Sequence, residues 1–124
     1  MDIDYSLDAS RIDIEAVWRI LRSTYWSANT RREVVAKAIA NSFVIGAYEG
    51  TSGKQFGFAR AVTDCAPFAW LCDVIVDEVS RGKGIGTRMV QILIAHSELR
   101  TLGRWRLATK DAHDVCEPLG FRLA

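Results

Sequence analysis

The segment most able to do chemistry is a glycine-rich loop between a strand-like run and an apolar helical pattern. It spans Arg81–Gly86 and reads Arg-Gly-Lys-Gly-Ile-Gly. Glycines let the backbone approach a bulky anion, and a helix N-terminus offers unpaired N–H groups with a favourable dipole. The arrangement therefore predicts a local phosphate site.

The spacing within this loop excludes two common phosphate-binding motifs. A dinucleotide fingerprint needs Gly-x-Gly-x-x-Gly, but Gly82, Gly84 and Gly86 alternate and the third required glycine is missing. A P-loop needs Gly-Lys followed by Ser or Thr, whereas Lys83 is followed by glycine. Neither a nicotinamide dinucleotide nor a Walker-type triphosphate site is expected.

The cysteines indicate neither a disulfide framework nor a metal site. Cys65, Cys72 and Cys116 are odd in number and lack the C-x-x-C spacing that is typical of zinc sites. The acidic N-terminus has no basic region followed by an apolar one, as a secretory signal has. We therefore expect free thiols, no metal and a cytoplasmic location.

Composition and charge indicate one globular domain, residues 1–124, without a global electrostatic field. The chain is 49% hydrophobic and 25% charged, and its formal net charge is +1. That length is typical of a single domain. With so small a net charge we expect no nucleic acid and no membrane surface as partner, and charges interrupt every apolar stretch before the length of a membrane span.

Hydrophobic periodicity places two helices ahead of the main strands. Residues 2–7 read as an edge strand, and apolar side chains at helical spacing predict a helix over about Asp13–Thr24. A second helix is predicted to open at a capping box formed by Thr30 and Glu33 and to run to about Asn41.

Three strand-like runs follow, Phe43–Glu49, Gln55–Thr63 and Phe68–Asp77, and short turn segments join them. They predict an antiparallel meander. Beyond the glycine loop and its helix, the pattern predicts a strand at Trp105–Thr109 and a short helix at Asp111–Leu119. The expected fold class is a mixed α/β sheet, with the meander first and a strand, loop, helix, strand crossover second.

The loop resembles the Q/R-x-x-G-x-G/A motif of the GNAT superfamily of N-acetyltransferases, through Arg81, Gly84 and Gly86. The family's downstream ending, A-x-x-x-Y-x-x-x-G-F, is matched in spacing by Ala112, Cys116, Gly120 and Phe121. By element order the resemblance covers about nine-tenths of the chain. It implies a GNAT-type acyl-CoA N-acyltransferase fold, here without the last strand that relatives usually have.

The resemblance implies that acetyl-CoA, as co-substrate, lies in a cleft where the strands ending at Asp77 and Thr109 splay apart. The pantetheine arm would pair with the strand before the loop, at Val74, Ile75 and Val76. Backbone N–H groups would hold the pyrophosphate at Gly82, Lys83, Gly84, Ile85, Gly86 and Thr87. The side chains of Arg81 and Lys83 either add charge there or are solvated loop cations. Thr109 stands where many relatives carry Asn, and together with Asp111 and His113 it is assigned to the coenzyme side.

The implied reaction is direct attack of an amine on the thioester, which needs a base for the amine and an acid for the departing thiolate. Most relatives use Tyr as the acid at the position that Cys116 holds here. Cys116 is therefore the candidate acid, and water-mediated protonation is the alternative. Asp73, a carboxylate inside an apolar run, is the candidate base; its alternative role is to pair with a nearby Arg or a backbone group. His113 either orients the Cys116 site or caps its helix.

Aromatic residues are the candidates for selecting the acceptor. Tyr25 and Trp26 end the first helix beside the family's variable cleft wall, and Trp70 lies in the strand that leads to Asp73. Core packing is the alternative for each Trp, and His96 is expected to be structural. The leading interpretation is an N-acetyltransferase that acts on a primary amine of a small molecule or protein. A weakly active or inactive CoA-binding or regulatory module is the alternative, and a homodimer stays open.

We predict that Cys116→Ala lowers kcat roughly 100-fold with little change in CoA affinity, because the thiolate then loses its proton donor. Cys116→Tyr should restore activity, since the phenol is the group that most relatives use. Steady-state rates of the three proteins with one accepted amine check this. An alanine variant within about threefold of the parent would remove Cys116 from the mechanism.

Overall fold

The chain folds into a five-stranded sheet with helices on both faces. The computed structural model describes residues 2–24, 28–63, 68–96 and 104–107. The strands are β1 (Ile3–Ser6), β2 (Phe43–Glu49), β3 (Gln55–Thr63), β4 (Phe68–Val76) and β5 (Arg104–Leu107). The helices are α1 (Ile14–Arg22), α2 (Arg32–Ala40) and α3 (Ile85–Ile94), with 3₁₀ turns at Ala9–Arg11 and Glu78–Ser80.

The strands lie side by side in chain order, β1 to β5. The first four pair antiparallel, and β5 pairs parallel to β4, from Phe68 opposite Arg104 to Leu71 opposite Leu107. A parallel neighbour needs a crossover connection, and α3 supplies it. The predicted mixed α/β class, the meander and the crossover are confirmed. The helix predicted at Asp111–Leu119 and the expected lack of a last strand lie outside the described residues.

Two apolar layers flank the sheet. The α3 layer contains Ile45, Ala59, Leu71, Met89 and Leu93. The α1–α2 layer contains Val17, Ile20, Ile39, Val44 and Phe58. Side chains alternate between the faces along each strand, so neighbouring residues of β2 and β3 enter opposite layers. Among the described residues, no helix is long and apolar enough to cross a membrane.

The first two helices begin differently. Asp13 caps α1, because its carboxylate accepts a hydrogen bond from the Ala16 N–H at 3.2 Å. The capping box predicted for α2 is wrong: the helix begins one residue later, and Arg31 precedes it without a side-chain cap. The carbonyl of Thr30 accepts the Trp18 indole N–H at 2.9 Å, so this residue contacts α1 instead of capping α2.

The outer strand β1 is short and charged. It has four residues, and Asp4 points a half-exposed carboxylate toward Arg11, whose Nη1 lies 3.0 Å from it. β1 therefore presents an ion pair on one face of the sheet, while Ile3 and Tyr5 pack against the α3 layer on the other.

A buried glutamine ties α1 to the start of β3. Gln55 is only 2% exposed. Its Oε1 accepts the Asp13 N–H at 2.7 Å, and its Nε2 donates to the Gly57 carbonyl at 3.0 Å. The second bond lies at a register shift in β3, where one extra residue, Phe56, is inserted opposite Ala47 and Tyr48 of β2. One side chain thus fixes both a helix start and a β-bulge.

We predict that Gln55→Met lowers the free energy of unfolding by about 2–4 kcal/mol, because two polar backbone groups lose their partner in a buried place. Urea denaturation measures this. The matched control is Gln91→Met on the exposed side of α3, where the Gln contacts Arg88 only at 3.5 Å; it should change stability by less than ~0.5 kcal/mol. Equal stability of the two variants would contradict the role assigned to Gln55.

Candidate functional site

The glycine loop connects the end of β4 to the start of α3 in a left-handed backbone conformation. Gly82 has φ 81° and Gly84 has φ 74°, a region that residues with a Cβ rarely enter. Gly84 is the N-cap of α3 and offers no side chain to bond the helix N-terminus. A Cβ placed at either glycine would meet no atom within 4 Å. The space above the loop is therefore open, as an approaching ligand requires.

A row of backbone N–H groups in the loop has no backbone partner among the described residues. Within the described part of the chain, Arg88 is the first residue of α3 whose N–H bonds back, to the Gly84 carbonyl at 3.0 Å. The preceding N–H groups donate to no described carbonyl, and they belong to Gly82, Lys83, Gly84, Ile85, Gly86 and Thr87. These are the six groups that the sequence predicted to hold a pyrophosphate. They coincide with the positive end of the α3 dipole, which adds electrostatic attraction for an anion.

The loop cations have different positions. Arg81 donates from Nε to the Val76 carbonyl at 2.9 Å, so its side chain closes the loop onto the last residue of β4. Lys83 is exposed and forms no ion pair with a described residue. Arg81 thus has a structural contact in addition to its charge, whereas Lys83 contributes charge alone.

The strand proposed to hold the pantetheine arm has its two faces in different layers. Val74 and Val76 pack against the α3 layer, and Ile75 lies in the α1–α2 layer. The pairing with β5 that the structure describes ends at Leu71 opposite Leu107. Residues 72–76 continue toward the loop beyond that pair, and the residues after Leu107 lie outside the described part of the chain.

A β-bulge at Asp73 interrupts the regular alternation of β4. Arg60 pairs with Cys72 and Phe58 pairs with Ile75, so Ala59 faces two residues of β4. Asp73 has φ 53° and is the one described non-glycine residue with positive φ. A bulge redirects a side chain relative to a regular strand.

The redirected carboxylate contacts an arginine. Asp73 Oδ2 accepts the Arg60 Nε–H at 2.6 Å, and both side chains are about four-fifths buried. Arg60 also donates from Nη1 to the Ser42 hydroxyl at 3.2 Å. The contact with an arginine that the sequence offered as the alternative role of Asp73 is therefore present. Its role as a base remains a proposal.

Sequence reasoning did not find Arg60 or Cys72 as members of this cluster. Their proximity depends on the β3–β4 register, although an arginine inside the apolar run of β3 was a visible signal.

Cys72 is a free, partly buried thiol. Burial raises the pKa of the Cys72 thiol, and the nearby Arg60 guanidinium lowers it by a smaller amount. The thiol is thus held in its neutral form beside the ion pair.

Trp70 does not belong to the core, so the core-packing alternative is wrong for this residue. Its side chain is 39% exposed and lies opposite Val62, which is 40% exposed.

Trp18 packs against the α1–α2 layer, as expected. His96 contacts Phe43 edge to face at 5.0 Å, in agreement with a structural role. The remaining candidates lie outside the described residues: Tyr25, Trp26, Thr109, Asp111, His113 and Cys116.

An ion pair joins α1 to the end of β4. Arg19 Nη1 lies 3.3 Å from Asp77 Oδ2, and the Asp77 N–H donates to the Phe56 carbonyl at 2.8 Å. Asp77 directly precedes the 3₁₀ turn that leads into the glycine loop. The helix on one face of the sheet is thus attached to the residue that precedes the turn before the glycine loop.

Comparison with known proteins identifies this architecture. The family model of the acetyltransferase (GNAT) domain matches residues 40–123, which include β2, β3, β4, the loop and α3. The chain belongs to the GNAT family. A GNAT-family protein from Xanthomonas campestris has 34% sequence identity over 100% of this chain and 87% of that one, with a TM-score of 0.90. No curated protein matches the sequence significantly.

More distant GNAT enzymes share the fold alone. The glucosamine-6-phosphate N-acetyltransferase of Arabidopsis thaliana has 16% identity over 100% of this chain and 94% of its own, with a TM-score of 0.72. An aminoglycoside N-acetyltransferase solved in complex with CoA has 14% identity over 99% and 88%, with a TM-score of 0.71. The predicted family membership and fold are therefore confirmed.

In this GNAT protein we predict that the usual stability order of Gly and Val in a strand reverses at position 73. Asp73→Gly should be more stable than Asp73→Val by about 1–2 kcal/mol, because glycine alone adopts positive φ without strain. Both variants lose the ion pair with Arg60, so their difference reports the backbone. Urea denaturation measures it.

The matched control for this reversal is the neighbouring residue. Val74→Gly should destabilise the protein, as expected where β4 has ordinary extended backbone. If Asp73→Val were the more stable of the two position-73 variants, the bulge would not require the left-handed conformation in solution.

Proposed function

We propose that this GNAT protein is an N-acetyltransferase that moves the acetyl group of acetyl-CoA to a primary amine by direct attack. The observation that supports it is the row of six N–H groups at residues 82–87, which bond to no described carbonyl and lie where β4 ends and α3 begins. Backbone donors of this kind fit the two phosphates of a pyrophosphate. Acetyl-CoA belongs to the same proposal, since it supplies the acetyl thioester and also carries the pyrophosphate.

The residues of β4 are proposed to orient the bound arm. Val74, Ile75 and Val76 would pair with pantetheine as a further strand, because backbone groups on the β5 side of β4 are directed away from β3. A backbone N–H of this stretch would hold the thioester carbonyl and stabilise the charge that develops on its oxygen. The apolar contacts of Val74 and Val76 with the α3 layer keep this stretch rigid.

Two side chains are proposed to move protons. Asp73 would accept the proton of the attacking amine, directly or through water, while Arg60 holds the carboxylate in position at 2.6 Å. Cys116 would give a proton to the departing CoA thiolate, and water is the alternative donor. Together these transfers balance the reaction: the amine loses a proton, the C–S bond breaks, the C–N bond forms and the thiol is released.

A thiol-release assay with acetyl-CoA and a panel of primary amines tests the activity, and mass spectrometry identifies the acetylated product. Release that depends on the amine supports the proposal. CoA binding by calorimetry without release from any amine would favour the CoA-binding module instead. Absence of both binding and release would refute the assignment.

We predict that Gly84→Val weakens binding of CoA by at least ~100-fold, because a branched side chain blocks the close approach of phosphate to the loop backbone. Calorimetry measures the affinity. The matched control is Gly53→Val in the β2–β3 turn, where φ is 73° and the surroundings are equally open.

Valine is strained at both positions because both have positive φ, so a general loss of stability would affect the two variants alike. Gly53→Val should bind CoA as tightly as the parent. If Gly84→Val also binds with parental affinity, the loop is not the pyrophosphate site.

A further inference from the structure

A groove of about 700 Å³ runs beside α1, away from the glycine loop's own N–H groups. From α1 it is lined by Trp18, Arg19 and Arg22, and Lys54 reaches it from the β2–β3 turn. Asp13 and Glu15 also line it. Its volume lies within the range of small-molecule sites.

Most of the charges around this groove already have partners. The Asp13 carboxylate caps α1, Glu15 pairs with Arg32, and Arg19 pairs with Asp77. Arg22 and Lys54 are the remaining cations, and neither forms an ion pair with a described residue. Because Asp13 keeps its charge while it caps the helix, the three cations and two carboxylates of the lining give the groove a net charge of +1.

One of these two cations is also held in place. The Arg22 guanidinium lies over the Trp18 ring, 5.0 Å from its centre. The Trp18 indole is itself fixed by its hydrogen bond to the Thr30 carbonyl. Stacking restricts the arginine side chain while its N–H donors stay available, which favours a planar anion such as a carboxylate or a phosphate face.

The groove borders the mouth of the proposed cleft. Lys54 precedes β3, whose first residues pair with the last residues of β4, so the turn lies at the same sheet edge as the glycine loop. Arg19 contacts Asp77 at that edge. α1 and α3 lie on opposite faces of the sheet. The groove therefore lies on the face of the sheet opposite α3, and through Arg19 it adjoins Asp77, the residue directly after β4.

We propose that this groove binds an anionic group of the acceptor, so that the preferred acceptors are primary amines that carry a carboxylate or a phosphate. This inference rests on the proposed acetyltransferase function. Two cations suit a single small anion, and the net charge of +1 gives no reason to expect a polyanion.

Matched pairs of amines test the preference. Tyrosine and tyramine differ by a carboxylate, and phosphoethanolamine and ethanolamine differ by a phosphate. We expect the anionic member of at least one pair to have a roughly tenfold higher kcat/KM, and the pair that shows it identifies the anion. Equal kcat/KM values within both pairs would overturn the proposal.

Variants then locate the preference. Arg22→Gln and Lys54→Gln should each raise KM for the anionic acceptor by roughly tenfold and leave the kinetics of its neutral counterpart unchanged. The control Lys37→Gln removes the same charge from the exposed face of α2 and should change neither. Unchanged KM in both groove variants would place the anion elsewhere.

A phosphate of the coenzyme could bind the same two cations in place of the acceptor's anionic group. Calorimetry distinguishes these two ligands. Arg22→Gln should bind CoA and dephospho-CoA as the parent does. A loss of affinity for CoA but not for dephospho-CoA would assign the groove to the coenzyme's 3′-phosphate and overturn the acceptor proposal.

Ligand binding measured by NMR does not depend on enzyme activity, so it tests the anion site independently of the proposed acetyl transfer. Titration of phosphoethanolamine or tyrosine should shift the Trp18 indole N–H resonance, assigned with Trp18→Phe, and Arg22→Gln should abolish the shift. A shift without any acetyl transfer refutes the enzyme function but supports the anion site. No shift with either compound overturns the anion site, whatever the enzyme assays give.

Discussion

The parallel pairing of β4 with β5 is the constraint on which the rest of the site depends. Two parallel neighbours cannot be joined by a tight hairpin, so the chain has to leave the sheet, cross one face and return. In this protein the crossover contains α3, which packs on one face through Met89 and Leu93. The N-terminus of α3 is thereby brought to the end of β4. The position of the glycine loop is a consequence of how the sheet is connected.

A second consequence concerns β4 itself, which pairs with an antiparallel strand on one side and a parallel one on the other. The bulge at Asp73 adds a residue opposite Ala59 and turns a carboxylate toward Arg60. It also changes which residues of β4 face the α3 layer. Regular alternation from Leu71 would place Asp73 in that layer, but the extra residue places Val74 and Val76 there instead. The same irregularity therefore positions the candidate base and the proposed pantetheine strand.

The sequence predicted elements and their order well, because strands and helices depend on local periodicity and on turn residues. The glycine loop was found for the same reason, since its glycines stand between a strand pattern and a helix pattern and match a short motif at Arg81, Gly84 and Gly86. Contacts between distant segments were harder to predict. Thr30 was predicted to cap α2, but its carbonyl receives the Trp18 indole from α1. The pairing of Asp73 with Arg60 depends on a bulge that no residue type announces, because aspartate tolerates positive φ without requiring it.

The outer strand has a consequence for how copies of the protein behave at high concentration. An exposed strand edge offers unpaired N–H and carbonyl groups, and it is a template for aggregation. β1 counters this because it is only four residues long and carries the Asp4 and Arg11 ion pair beside its edge. A second molecule that added a strand there would have to desolvate those charges. A short edge strand and an exposed charge are features by which natural sheets resist pairing with another chain.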